Sequence, residues 1–288
     1  MKLSPDCVQC LMKKVVFQAR LLNNGCEGEA AGAALKAFAE GYDLNRTSTD
    51  VATEVHAAAY KAMGKDPYYQ MKLTSDEIAG RYIPQLEEYI SSSNDRLKAA
   101  IEVSVIGNIM DFGTPLAIDS PEKFDAQFDS LLSQGIGSDD TQKFKELLDG
   151  SENVLYFFDN CGESQFDKLL IREIRSMGKR VVGVVRGAAI LNDVTMEDAL
   201  RIGLDKELDS IVTTGCFMVG VDLSRIGDDL KDELRKADLI VAKGMANYES
   251  MSERDFGVPK VHSLRTKCSA VARSLDVPEN INVVRVTW

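Results

Sequence analysis

A chain of 288 residues, 44% hydrophobic and 27% charged, holds enough apolar material for one large domain or two modest ones. Its 34 Lys and Arg against 45 Asp and Glu give a net charge of −11, which disfavours nucleic acid as a partner, because backbone-phosphate binding relies on clustered basic residues. No apolar run approaches the ~20 residues that span a bilayer, and the opening MKLSPDCVQC lacks the apolar segment of a signal peptide, so a cytoplasmic protein without membrane contact is expected.

The first hundred or so residues carry helical apolar spacing and no strand pattern. Helices are expected over Cys7–Leu22, stopping near Asn23, Asn24 and Gly25, over Glu29–Phe38, ending near Gly41, and from Thr49 towards Met63 and Gly64. DPYYQMK then interrupts. Further helices are expected over Ser75–Tyr89, with a kink or boundary at Pro84, and over Asp95–Met110. Two more, Glu122–Leu132 and Thr141–Leu148, flank the Gly- and Asp-rich GIGSDD.

From Val154 the rhythm changes. Strand-like runs fall at Val154–Phe158, Val181–Val185, Ser210–Val212, Leu239–Val241, Lys260–Ser263 and Asn282–Val286, with helical segments in most of the gaps. Such alternation predicts right-handed βαβ crossovers and a Rossmann-like, three-layer α/β/α domain with a mainly parallel sheet. The expected division is an all-helical domain over 1–115 and an α/β domain over 116–288, with a helical insert or linker at about 116–150.

Polar groups collect where these strands end. VLYFFDNCGE reads as a strand that stops at Asp159 and Asn160, turns at Gly162 and resumes helical spacing at Phe166, Leu169, Leu170 and Ile174. In AAILND, Asn192 and Asp193 precede Thr195 and Asp198, which are spaced as a capping pair. DLIVAKGMANYE delivers Lys243 at a strand end, ahead of Gly244, Asn247 and Glu249, and Thr213, Thr214 and Gly215 close another strand. In a parallel sheet all of these rim the crevice outside the carboxyl ends of the strands. Asp159, Asn160 and Asp193 offer three oxygens to a hard divalent ion such as Mg²⁺ or Mn²⁺, and Lys243 offers a fixed positive charge to a phosphate. That combination favours metal-assisted phosphoryl hydrolysis, with the ion polarising a phosphoryl oxygen and lowering the pKa of a bound water.

DNCGE, ILND, KGMANYE and GNIMDFG, in that company, resemble the metal-dependent damage-control phosphatases, formerly the domain of unknown function family eighty-nine. The resemblance covers nearly the whole chain. It implies a helical domain packed on a three-layer α/β/α domain and a divalent metal (Mn²⁺, Co²⁺, Ni²⁺ or Mg²⁺) held by Asp159, Asn160 and Asp193. It also implies phosphate or sugar-phosphate contacts from Asn247, Tyr248 and Glu249 with Lys243, a pocket contribution from Asn108 and Asp111, and hydrolysis of phosphate esters of small, often damaged metabolites. One branch of the family carries arginine, threonine, any residue, lysine near its C-terminus, and that lysine reaches the substrate. Here the stretch is RTKC, with Cys268 at that position and Lys267, the expected substrate contact, one place earlier. With CVQC near the start, the pair resembles the branch typical of archaea and some bacteria.

Plainer readings stand beside these. Asp159, Asn160 and Asp193 also suit helix caps, Asn108 and Asp111 a helix end, and His56 and His262 core packing. Six cysteines at this length fit reduced thiols, and Cys7 and Cys10, one helical turn apart, permit a disulfide, a shared metal or two buried thiols, with Cys268 or Cys26 as further ligands. Two other functions are open: a transferase binding a nucleotide or S-adenosylmethionine, and a thiol- or metal-sensing regulator built on CVQC. Against the first, no GxGxxG follows the first strand, and the absence of DxDx(T/V) disfavours an aspartyl-phosphate mechanism.

Overall fold

The computed structural model describes residues 1–108 and 130–288; Asp111 and residues 122–129 of one expected helix lie outside the described residues. The chain opens with five helices, α1 (Asp6–Leu21), α2 (Glu27–Gly41), α3 (Ser48–Met63), α4 (Tyr69–Ser92) and α5 (Arg96–Gly107). There follow β1 (Ser138–Asp139), α6 (Thr141–Asp149), β2 (Asn153–Phe157), α7 (Glu163–Ser176), β3 (Arg180–Val185), α8 (Met196–Arg201) and β4 (Ser210–Thr213). The last elements are α9 (Asp228–Leu234), β5 (Leu239–Lys243), α10 (Gly244–Met251), β6 (Lys260–Arg265), α11 (Ser269–Leu275) and β7 (Asn282–Thr287). No helix among the described residues is long and apolar enough to cross a membrane.

Among the described residues seven strands form one sheet in the order β1-β7-β6-β5-β2-β3-β4, parallel except where β7 runs against β6. Side chains two apart along a strand share a face. Val154 and Tyr156 of β2, with Leu239 and Val241 of β5, join the core under α4, α5 and α7. Leu155 and Phe157, with Ile240 and Ala242, join a second core on the other face with Leu230 and Met251. The result is the expected three-layer α/β/α arrangement. Helices α1 to α3 bury a cluster of their own against Ile190, Leu191 and Val219, the loops that follow β3 and β4.

Two local expectations need correction. DPYYQMK interrupts only as far as Tyr68: Asp66 accepts the Tyr68 amide at 2.9 Å, and α4 starts at Tyr69, well before the expected Ser75, and runs 24 residues with Pro84 inside it. GIGSDD contains a strand, β1, too short at two residues for any alternation to reveal it; Gly137 and Asp140 anchor it by donating to Asn282 and Val284 of β7, both at 2.9 Å.

Candidate active site

Chain order reverses between β2 and β5. From β2 the chain steps out to β3 and β4, then returns through β5 on the other side, which makes the crevice above β2 and β5 the place for a ligand. The loops after β2 and β3 are laced together there. Val194 donates its amide to the Asp159 carbonyl at 2.9 Å, Cys161 to the Asn192 carbonyl at 2.9 Å, and Asn160 pairs with Asp193 as an antiparallel bridge. Asp159 and Asp193 thus share one rim although 34 positions apart. The expected Thr195 and Asp198 capping box forms at the start of α8 and fixes where the second loop ends.

Each group on the rim has a fixed partner. Asp159 Oδ2 accepts from Asn160 Nδ2 at 2.9 Å and from Asn108 Nδ2 at 3.1 Å, and Asn108, at the end of α5, also accepts the Arg265 amide at 3.1 Å. Gly244 is required by this crowding: its φ is +75°, and a Cβ there would stand 1.8 Å from Asp159 Oδ2. Burial holds the Asp159 carboxyl well above the usual carboxylate range, and repulsion from Asp193 and Glu163 pushes the same way, against weaker help from Lys267 and Arg186.

This surplus of buried negative charge, with two carboxyl groups and an amide lining one cavity, fits a hard divalent cation. Among the described residues no three His, Cys, Asp or Glu side chains stand together as a metal cage. An ion here would therefore draw on the Asn160 amide and on water or substrate oxygen besides Asp159 and Asp193.

Asp159, Asn160, Asp193 and Asn108 open into a cavity of about 160 Å³. Glu249, Lys267, Cys7, Cys10 and Cys268 border the same space. Glu249 accepts from Ser48 Oγ at 2.6 Å, and burial raises its pKa. Cys268 caps α11, its sulfur accepting the Val271 amide at 3.5 Å. Burial pushes its thiol up to about 11 and raises the Cys7 thiol as well.

Three expected contacts point elsewhere. Lys243 does not face the cavity: fully buried, its Nζ donates to the Ser104 carbonyl at 2.6 Å and pairs with Glu163 and Asp167 at 2.9 and 3.0 Å. Burial alone would lower its pKa, but those two carboxylates outweigh it and hold the ammonium charged. Asn247 is equally buried, donating to the Phe158 and Lys243 carbonyls at 3.1 and 2.8 Å. Tyr248 turns to Ser274 at 2.9 Å and packs edge-on against His262. The two histidines pack as expected, with His56 bonded to Gln18 at 3.1 Å and His262 to Thr287 at 3.0 Å.

Residue-by-residue reading missed Arg186, Glu163 and Asp167. Glu163 accepts from Asn108 at 2.7 Å, and Arg186 pairs with Asp193 at 2.6 Å. The available signal was position: Arg186 directly follows β3, and a charge ending an otherwise apolar strand stands at the crevice.

Acidic groups at the switch point of a mainly parallel sheet, opening into a cavity, make this an α/β protein with a candidate ligand site where the strands end. The family model for the damage-control phosphatase ARMT1-like domain matches residues 3–283, and the chain belongs to that family. It is similar to a damage-control phosphatase of Archaeoglobus fulgidus, 35% identical over 289 residues, 99% of each chain. It is also similar to a damage-control phosphatase of Pyrococcus horikoshii, 31% identical over 97% of this chain and 96% of that one. A crystal structure of a DUF89 family protein from Pyrococcus horikoshii superposes with a TM-score of 0.87 at 30% identity, covering 99% of this chain and 98% of that one.

Proposed function

We propose that this protein is a cytoplasmic, metal-dependent phosphomonoesterase acting on small, damaged or unwanted phosphorylated metabolites, in the branch that carries CxxC. The observation that carries the reading is the lacing of the Asp159 and Asp193 loops on the rim of one cavity. Asp159, Asn160 and Asp193 would hold a divalent ion such as Mn²⁺, Co²⁺, Ni²⁺ or Mg²⁺. When bound, that ion supplies a Lewis acid for a phosphoryl oxygen and lowers the pKa of a water.

The protein's own groups do the rest. Lys267, on the cavity wall, takes the phosphate-facing role expected of Lys243. Lys243 instead anchors Glu163, which together with Asn108 fixes Asp159. Glu249 offers a carboxylate to the hydroxyls of the leaving group. A cavity of about 160 Å³ is small against the roughly 300–1,000 Å³ of typical ligand pockets, which favours a compact phosphate ester over a nucleotide or S-adenosylmethionine.

Cys7, Cys10 and Cys268 line the substrate side of the cavity. Burial raises the Cys7 and Cys268 thiols, which makes them poor nucleophiles at neutral pH. Phosphate release from p-nitrophenyl phosphate tests the proposal. It should require added Mn²⁺, Co²⁺ or Ni²⁺ and fall by roughly 10²-fold or more in Asp159→Ala; chelator-insensitive release would refute it.

A further inference from the structure

Arg186 is only 3% exposed, and its guanidinium spends all three nitrogens on three different segments. Nε donates to Asp193 Oδ2 at 2.6 Å, one terminal nitrogen to the Gly220 carbonyl at 2.6 Å and the other to Asn247 Oδ1 at 3.0 Å. Asn247 cannot turn away, because its Nδ2 is held by the Phe158 and Lys243 carbonyls. Phe158 is the residue before Asp159. One buried chain of hydrogen bonds therefore runs from the Asp193 carboxylate through Arg186 and Asn247 to the backbone that carries Asp159. Close backbone approach leaves this brace no slack: a Cβ on Gly220 would stand 2.5 Å from the Ala246 carbonyl, and one on Gly187 2.5 Å from the Cys216 amide.

A buried ion pair is a poor source of net stability, since desolvation cancels most of the attraction, so its retention calls for another reason. We propose that Arg186 is a positioning residue for the cation site: with Asn247 it sets the spacing and orientation of Asp159 and Asp193 before any ion arrives. The inference rests on the metal-dependent reading above. Partners of this kind hold ligands in one rotamer and remove the ordering cost from ion binding. A lysine at 186 keeps the charge but reaches one partner instead of three.

The test is Mn²⁺ affinity, followed by paramagnetic resonance of the free ion, in the wild type and in Asp159→Ala, Arg186→Lys, Asn247→Ala and Leu86→Ala. The wild type should bind Mn²⁺ and Asp159→Ala should not. Arg186→Lys should raise Kd by about 10- to 100-fold and recover activity to within about threefold of wild type at saturating Mn²⁺. Leu86→Ala, a core change in α4, should lower Tm and leave Kd alone. No Mn²⁺ binding by the wild type overturns the metal reading itself. Wild-type binding with an unchanged Kd in folded Arg186→Lys overturns the positioning role alone. Should Arg186→Lys not fold, Asn247→Ala decides, because it keeps the pair of Arg186 with Asp193 and cuts the bonds that join Arg186 to the Phe158 and Lys243 carbonyls; an unchanged Kd there overturns the proposal equally.

Discussion

The cavity has two unlike walls. On the side of β2, β3 and β5, Asp159 and Asp193 line the cavity and Asn247 and Lys243 lie behind them, all four buried and bonded to partners that are themselves buried. On the side of α1 and α11, Cys10 and Asp6 are exposed and Lys267 and Cys268 half-buried, and the helices are joined by the surface pair of Asp6 with Arg273. Such pairs contribute little to stability. The contrast suggests a division of labour. Groups that must hold charge in one geometry are preset within the sheet core, and groups that meet a variable substrate sit where a side chain can adjust.

The largest expected effect breaks the rigid wall. Asp159→Ala should lower phosphatase turnover by roughly 10²- to 10³-fold, the scale of losing one preorganised electrostatic contact. The metal-free variant should nevertheless melt no lower than wild type, because it loses a buried carboxylate repelled by Asp193 and Glu163. A matched fall in Tm would show that Asp159 is structural.

The two lysines sharpen the comparison next. Lys243→Met leaves Glu163 and Asp167 unpaired in the core and should cost about 3–5 kcal/mol in urea unfolding. Lys267→Met should change stability by no more than about 0.5 kcal/mol and act mainly on KM. Equal stability losses would erase the distinction between the walls.

Acid titration probes the buried histidines, His56 on the cavity and His262 in the sheet. Both are held near 3 by burial, below the ordinary 6.5. Between those values the unfolded chain takes up protons that the folded one refuses, so stability falls as pH drops below about 6.5, by up to about 1.4 kcal/mol per pH unit for each group. His56→Gln should flatten that limb of the Tm–pH curve, and an unchanged slope would contradict the assignment.

The smallest effect belongs to the adjustable wall. N-ethylmaleimide should label exposed Cys10 before Cys268 and lower kcat/KM by crowding the cavity, and Cys10→Ser should protect. Labelling without any change in kinetics would place the thiols outside the substrate's path.

What the sequence made legible follows from these physics. The strand ends at Asp159 and Lys243 could be read because an apolar run that stops at a polar residue is a local signal, and four motifs in company carried the family. Where a side chain turns is not local. Lys243 ends its strand as expected, yet Glu163 and Asp167 on α7 draw its ammonium inward, and nothing near residue 243 encodes their position. Arg186 escaped for the same reason, its partners lying 7, 34 and 61 positions away. Pro84 left a kink or a boundary open, and α4 running through it removes the boundary.

The central claim is that two laced loops share one cation at which a phosphate ester is cleaved. Its most direct test is a titration of metal-stripped enzyme with Mn²⁺ while p-nitrophenyl phosphate turnover is followed. The account predicts no activity in the stripped enzyme, recovery that saturates as the ion binds, and no recovery in either Asp159→Ala or Asp193→Ala. Full recovery in either variant, or turnover without any ion, would contradict it.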